Sequence, residues 1–226
     1  VFSSEESNLA YGLASNQIEM LKGDFLHDLG YTGQGMTIAL MDAGYKGVET
    51  FDAFSNLSDA NMENGEILGG YDYVHRDADF YGDTGNTHGL SVLSTMAAFV
   101  DTEFIGTAPD AHFYLFVTED PLTETPLEES LWVEAAERAD SLGVDVINTS
   151  LGYSTFDEST YDYTYADMDG ATAFITRGAE IAASKGMVVV NSAGNSGNDP
   201  WHYITAPADA PSVLTVGAVD PNEETA

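Results

Sequence analysis

This sequence predicts a mostly parallel α/β sheet, and three observations carry the prediction. Short apolar runs rich in β-branched residues recur along the chain, as at residues 144–147 and 187–190, and are too short to be helices. Longer segments with apolar residues at helical spacing stand between them. The alternation of strand, helix, strand, helix, strand requires parallel pairing with right-handed crossovers. A chain of 226 residues can bury one sizeable core, so residues 1–226 read as a single domain. Residues 1–8, polar and acidic, read as a loosely held terminus.

In order, Ile18, Leu21, Phe25, Leu26 and Leu29 fall at helical spacing and predict one helix that stops at Gly30. Gly33 and Gly35 turn the chain into an apolar run over residues 36–41, a strand with Asp42 at its tip followed by Ala43 and Gly44. Residues 45–83 mix a loop rich in Asn, Asp and Ser with a short strand over residues 67–74. Leu90, Leu93, Met96 and Ala97 then form the apolar face of a helix that opens at His88. Residues 112–117 read as the next strand. Thr125, Pro126 and Glu128 make a capping box with proline in the first turn. The helix they open carries Leu127, Leu131, Ala135, Ala139 and Leu142 on one face and stops at Gly143. Residues 144–148 give a strand that runs into Thr149, Ser150, Leu151 and Gly152.

Residues 153–169 are acidic, rich in tyrosine and without period, and read as a long solvated excursion from that strand's end. Helical spacing resumes with Phe174, Ile175, Ala179, Ile181 and Ala182 and stops at Gly186. The run that starts at Met187 breaks abruptly into Asn191, Ser192, Ala193, Gly194, Asn195, Ser196 and Gly197. A buried strand therefore ends in a tight polar loop. Residues 212–219 supply one more strand.

With 38 acidic residues against 6 basic ones the net charge is −32, which repels nucleic acid and anionic membranes and excludes both as partners. The 43% hydrophobic content argues for a packed core over a disordered polyanion. There is no cysteine, so disulfides, thiolate chemistry and cysteine-bound metals are excluded. No apolar run approaches membrane-spanning length. Asp77, Asp79 and Asp83 alternate acids in a loop without the full calcium-loop pattern, so they read as a solvated loop or as a structural calcium site. Calcium is the one cofactor suggested, and the chemistry below needs none.

Asp42, His88 and Asn195 each stand at a strand end or a helix start, the edge where α/β folds present their chemistry. An acid, a base and an amide donor are three of the four parts of an acyl-transfer site. The other histidines, His27, His75, His112 and His202, have nothing converging on them and read as structural.

Asp42-Ala-Gly44 after an apolar strand, Thr87-His88-Gly89 opening a helix, Gly-Thr-Ala-Pro-Asp at residues 106–110, residues 144–152 and Ser192-Ala-Gly-Asn195 occur in the order found in subtilisin-type serine proteases. Residues 213–220 are similar to that family's next strand. The chain resembles this family from about Gly33 to Asp220. The resemblance implies a three-layer domain with helices on both faces of the sheet, of which this chain holds the amino-terminal part. It also implies a secreted or cell-surface serine endopeptidase acting on protein or peptide substrates. Asp42 would orient the imidazole, His88 would act as general base and then acid, and Asn195 would donate to the oxyanion. Ser150, Leu151 and Gly152 would pair with the substrate backbone, and Ser192, Ala193 and Gly194 would form the opposite wall of the primary specificity pocket.

Two departures surround the expected pair: the family usually has Ser or Thr where Ala43 stands and Gly where Asn86 stands. A larger departure is that its nucleophile motif, Gly-Thr-Ser opening a late helix, is absent from these residues. The serine is expected beyond Ala226, making the missing carboxyl-terminal part of the chain a partner of this one and leaving the fragment inactive alone. The alternative is a non-catalytic relative that binds peptide or calcium. A nucleotide-binding domain is disfavoured, because Gly33 and Gly35 precede their strand and no lysine stands near Gly194 and Gly197. Asp157, Glu158 and Asp162 of the acidic excursion are expected to bias the cleft towards basic peptides.

Overall fold

The computed structural model describes residues 9–58 and 65–220; residues 1–8, read above as a loose terminus, lie outside them. The first helical segment is two short helices, α1 (Ser15–Met20) and α2 (Gly23–Asp28), instead of the single helix expected. Lys22 adopts a left-handed conformation, φ 60°, and breaks the run. Of the predicted apolar face only Ile18 is buried, while Leu21, Phe25, Leu26 and Leu29 are exposed. A polar contact anchors this segment. His27 is buried, accepts from the Tyr11 hydroxyl on Nδ1 at 2.9 Å and donates from Nε2 to the Thr107 carbonyl at 3.0 Å.

The chain then forms β1 (Thr37–Asp42), β2 (Ile67–Asp72) and α3 (His88–Ala97). A small antiparallel hairpin of β3 (Phe99–Val100) and β4 (Phe104–Ile105) follows, which the sequence did not announce. Next come β5 (His112–Val117), α4 (Pro126–Leu142), β6 (Val146–Thr149), α5 (Phe174–Ser184), β7 (Val188–Ser192) and β8 (Leu214–Val216). Among the described residues the main sheet has six strands in the order β2-β5-β1-β6-β7-β8, and every pairing is parallel. β1 sits inside it, with Asp42 opposite Val117 on one side and Met41 opposite Thr149 on the other.

Strand alternation divides the core in two. Ile38, Leu40, Phe113, Leu115 and Val117 pack with Leu93 and Ala97 of α3. Ala39, Met41, Phe116, Ile147 and Val189 pack with Leu131, Trp132 and Ala135 of α4 and with Ile175 and Ala179 of α5. Helices thus cover both faces as expected, which is why the central strands read as unbroken apolar runs. α4 opens with the predicted capping box, Glu128 accepting from the Thr125 N–H at 3.0 Å, and ends at Gly143 with φ 75°. Its buried stripe is rotated from the predicted one, with Leu127 exposed and Trp132 and Ala136 inside.

The excursion over residues 153–169 is less solvated than its composition suggests. Tyr153 and Phe156 are buried, and the Tyr163 hydroxyl donates to the Glu129 carboxylate at 2.9 Å. Aromatic side chains therefore fasten the segment to α4, and Asp157 and Glu158 remain exposed. The sequence hid this because aromatic anchors without a period mimic a loop.

Candidate active site

Because the strands are parallel, the residues that follow them gather along one edge of the sheet. Asp42 closes β1, and His88 opens α3 directly above it. Two glycines allow that approach. A methyl group on Gly89 would lie 2.7 Å from Tyr45 Cε1, 2.8 Å from the Gly44 carbonyl oxygen and 3.0 Å from Asp42 Cβ. One on Gly44 would lie 2.2 Å from Thr84 Oγ1. The Leu90 N–H donates to the Gly44 carbonyl at 3.1 Å, which fastens the helix start to the strand tip. Asn86, where the resemblance expects glycine, accepts from the His88 N–H through Oδ1 at 2.7 Å and supports the same turn.

The outcome is a hydrogen bond of 2.8 Å from His88 Nδ1–H to Asp42 Oδ1. Asp42 is 1% exposed, and the same oxygen accepts from the Ala43 N–H at 2.7 Å. The hydrogen bond to Asp42 raises the pKa of His88 above 6.5; partial burial opposes the shift, and the charges of Asp42 and Glu119 assist it. With Nδ1 committed to the carboxylate, Nε2 is left to exchange a proton with a reactant.

A cavity of about 600 Å³ lies beside the imidazole, lined by Ala43, Asn86, His88, the predicted Ser150, Leu151 and Gly152, and the acids Glu119, Asp120, Glu124 and Asp157. Sequence reading missed the first three acids. The available signal was position: Glu119 and Asp120 come just after β5, on the same edge as Asp42. Glu119, Glu124 and Glu128 each bring one oxygen within 4.8 Å of the others. Burial pushes Glu124 up to about 8 and Glu128 up to about 7, and the neighbouring carboxylates add to both shifts. Burial also raises Glu119, against a 2.8 Å hydrogen bond donated by the Tyr153 hydroxyl. Both oxygens of Glu128 accept backbone N–H groups, from Asp120 and Thr125. Three of the six oxygens thus already accept hydrogen bonds within the fold.

Ser192 ends β7, beside β6, and the Asn191 side chain ties the two segments by donating to the Leu151 carbonyl at 3.1 Å. Asn195 stands exposed at the head of a turn over Ser196–Asn198. The structure thus joins His88, Ser150, Leu151 and Gly152 at one cavity, with Asp42 buried behind His88. It sets Ser192, Ala193, Gly194 and Asn195 on the neighbouring strand end, outside that cavity's lining.

A model of the subtilase family matches residues 33–226. The chain belongs to the subtilase family. Subtilisin E of Bacillus subtilis (strain 168) is 30% identical over 228 residues, covering 98% of this chain and 51% of that protein. The minor extracellular protease Vpr of the same organism is 32% identical over 198 residues, covering 84% of this chain and 21% of Vpr. The chain spans about half the length of Subtilisin E and less of Vpr. The prenylagaramide maturation protease PagA shares the fold with a TM-score of 0.65 at 18% identity, covering 90% of this chain and 61% of PagA. MycP1 with its propeptide removed gives a TM-score of 0.63 at 21% identity, covering 96% and 66%.

Other expected features of this subtilase do not converge. Asp83 pairs with Lys46, and Asp77 Oδ1 accepts from the Asp79 N–H at 2.8 Å. Among the described residues the only three-carboxylate group close enough to share an ion is the glutamate trio. The Nδ1 of His75 lies 2.8 Å from the buried Asp72 Oδ2, a pairing between i and i+3 that closes the turn after β2.

Proposed function

We propose that the full-length protein is a serine endopeptidase, with Asp42 and His88 as two members of its triad and a serine supplied by chain beyond residue 226. The observation that carries this is the 2.8 Å contact between a buried carboxylate and a histidine that lines an open cavity. Nε2 would take the serine proton as Oγ attacks the scissile carbonyl, and the imidazolium formed would be stabilised by Asp42. The same proton then passes to the leaving amine. Asn195 would donate to the oxyanion, and Ser150, Leu151 and Gly152 would pair with the substrate backbone. An apolar sheet face at Val188, Leu214 and Val216 is about half exposed, and further chain packing there would bring the serine into the same body. We place the protein outside the cell, secreted or at the cell surface, in keeping with the extracellular relative.

Basic peptides suit the cavity beside His88. Glu119, Asp120, Glu124 and Asp157 line it, whereas Glu158 and Asp162 of the expected trio accept local bonds from Thr160 and from the Phe156 N–H. A lysine or arginine entering there would displace the protons held by the raised glutamates. The test of the activity is the full-length protein with His88→Ala, expected to lose peptide turnover; retained turnover refutes the triad. Lys-rich and Glu-rich peptide libraries cleaved equally at low salt would refute the basic preference. One observation favours a second reading, a cation-binding relative without the nucleophile: the glutamate trio with its oxygens within 4.8 Å. A Gly-Thr-Ser motif downstream of Ala226 discriminates in favour of the peptidase.

A further inference from the structure

The Asn191 side chain crosses a gap that no backbone hydrogen bond spans. β6 and β7 pair from Val146 opposite Val188 to Thr149 opposite Asn191, where β6 ends. Beyond that rung β7 continues against β8, with the Ala193 N–H donating to the Val216 carbonyl at 2.8 Å. Among the described residues no backbone hydrogen bond joins residues 150–152 to residues 192–195. Asn191 bridges them. Its Nδ2 group donates to the Leu151 carbonyl at 3.1 Å and to the Ser192 carbonyl at 2.7 Å, one on each side of the gap.

The side chain is 1% exposed, and its Oδ1 is buried without a hydrogen-bond partner in the protein. An unpaired buried oxygen is costly, and an apolar side chain of similar volume would avoid it. What the amide supplies against that cost is its two donated bonds. The bond to Leu151 fixes more than one atom. A trans peptide is planar, with its C=O and N–H pointing in opposite directions, so a Leu151 carbonyl drawn towards the interior aims the N–H of Gly152 the other way. Gly152 lines the cavity beside His88, and its backbone makes no hydrogen bond among the described residues. Glycine offers no Cβ to resist rotation of this peptide, so its orientation depends on the carbonyl's partner. The following residue is anchored separately, by two backbone hydrogen bonds of 2.8 and 3.0 Å exchanged between Tyr153 and Ala206.

We infer that Asn191 is a positioning residue: by holding the Leu151 carbonyl inward it locks the Leu151–Gly152 peptide with the Gly152 N–H facing the cavity, where it can donate to a carbonyl of an extended substrate. This rests on the peptidase reading above, in which residues 150–152 pair with the substrate backbone. Asn191 itself touches no substrate. Without its amide the peptide gains a second orientation, the donor is presented by only a fraction of the molecules, and apparent affinity falls by that fraction.

The test measures kcat and KM of the full-length protein on two peptides with the same residue before the cleaved bond, one carrying that residue alone and one carrying four residues on that side. Only the longer one has the backbone to pair along residues 150–152. Asn191→Asp keeps the shape and replaces the donor by an oxygen that repels both carbonyls. It is expected to lower kcat/KM on the longer peptide by about 3–10-fold, mainly through KM, and to leave the shorter one within about twofold, since one neutral hydrogen bond is at stake. Asn191→Ala and Asn191→Leu remove the amide without burying a charge and carry the same expectation, which keeps the test if the aspartate variant does not fold. A purely structural Asn191 would lower the urea midpoint and change both peptides by the same factor; that outcome overturns the inference, as does an unchanged kcat/KM on both. Absence of turnover on either peptide by the unaltered protein overturns the peptidase reading and the inference with it.

Discussion

Gly89→Ala tests the architecture of the site without removing any of its chemical groups. The new methyl would sit 2.7 Å from Tyr45 Cε1, 2.8 Å from the Gly44 carbonyl oxygen and 3.0 Å from Asp42 Cβ, whereas ordinary contact begins at 3.4 Å. Tyr45 cannot turn aside, because it is fully buried and donates from its hydroxyl to the Leu40 carbonyl at 2.9 Å. The carbonyl and Cβ are parts of the strand tip itself. The start of α3 must therefore retreat by about 0.4–0.7 Å, the shortfall at these contacts. A retreat of that size stretches the 2.8 Å hydrogen bond between His88 and Asp42 to the edge of hydrogen-bonding range. Overpacking of this kind costs about 1–3 kcal/mol of stability, and since a 1 Å misplacement can cost about 10²-fold in rate, the smaller retreat should cost less than that. Two measurements check it. Turnover of the full-length variant should fall, and titration of His88 by nuclear magnetic resonance should move back towards 6.5, because the hydrogen bond that raises it is weakened. A variant that keeps both its rate and its raised His88 would show that the glycine is not what holds the pair together.

Further outcomes are expected elsewhere. Asn195→Ala in the full-length protein should lower kcat by about 10²–10³ with little change in KM, the loss already associated with such a donor in subtilisin; an unchanged kcat removes Asn195 from the oxyanion site. Stability should fall as pH rises from 5 to 9. Glu124 and Glu128, raised from 4.5 to about 8 and about 7, bind protons more tightly in the folded state, so folding is disfavoured as pH climbs through that window. The raised His88 acts in the same direction, its stabilising pair with Asp42 being present below 6.5 and lost as pH passes its folded value. Urea midpoints across this range check the slope, and Glu124→Gln should flatten it. Thr149→Val should cost about 1–3 kcal/mol, since it strands the Nε1–H of the fully buried Trp132, which now donates to Thr149 Oγ1 at 2.9 Å. The urea midpoint should drop without a change in slope.

The sequence by itself determined the parallel α/β class, the order of its main strands and helices, the capping box of α4 and the positions of Asp42 and His88 at a strand tip and a helix start. It could do so because each is a local pattern: periodic burial, a cap, or a glycine beside the residue it frees. Asp42 and His88 were legible for that reason, as the glycines at 44 and 89 are written next to them. Only the tertiary structure decided what depends on side chains far apart in the chain. It set Glu119 and Glu124 against His88 and exposed the first apolar stripe by breaking the helix at Lys22. It also bound the excursion over residues 153–169 to α4 through Tyr163. Asn191 shows the division most clearly. In the sequence it is one more asparagine, and its bond to the Leu151 carbonyl exists only once β6 and β7 have packed together.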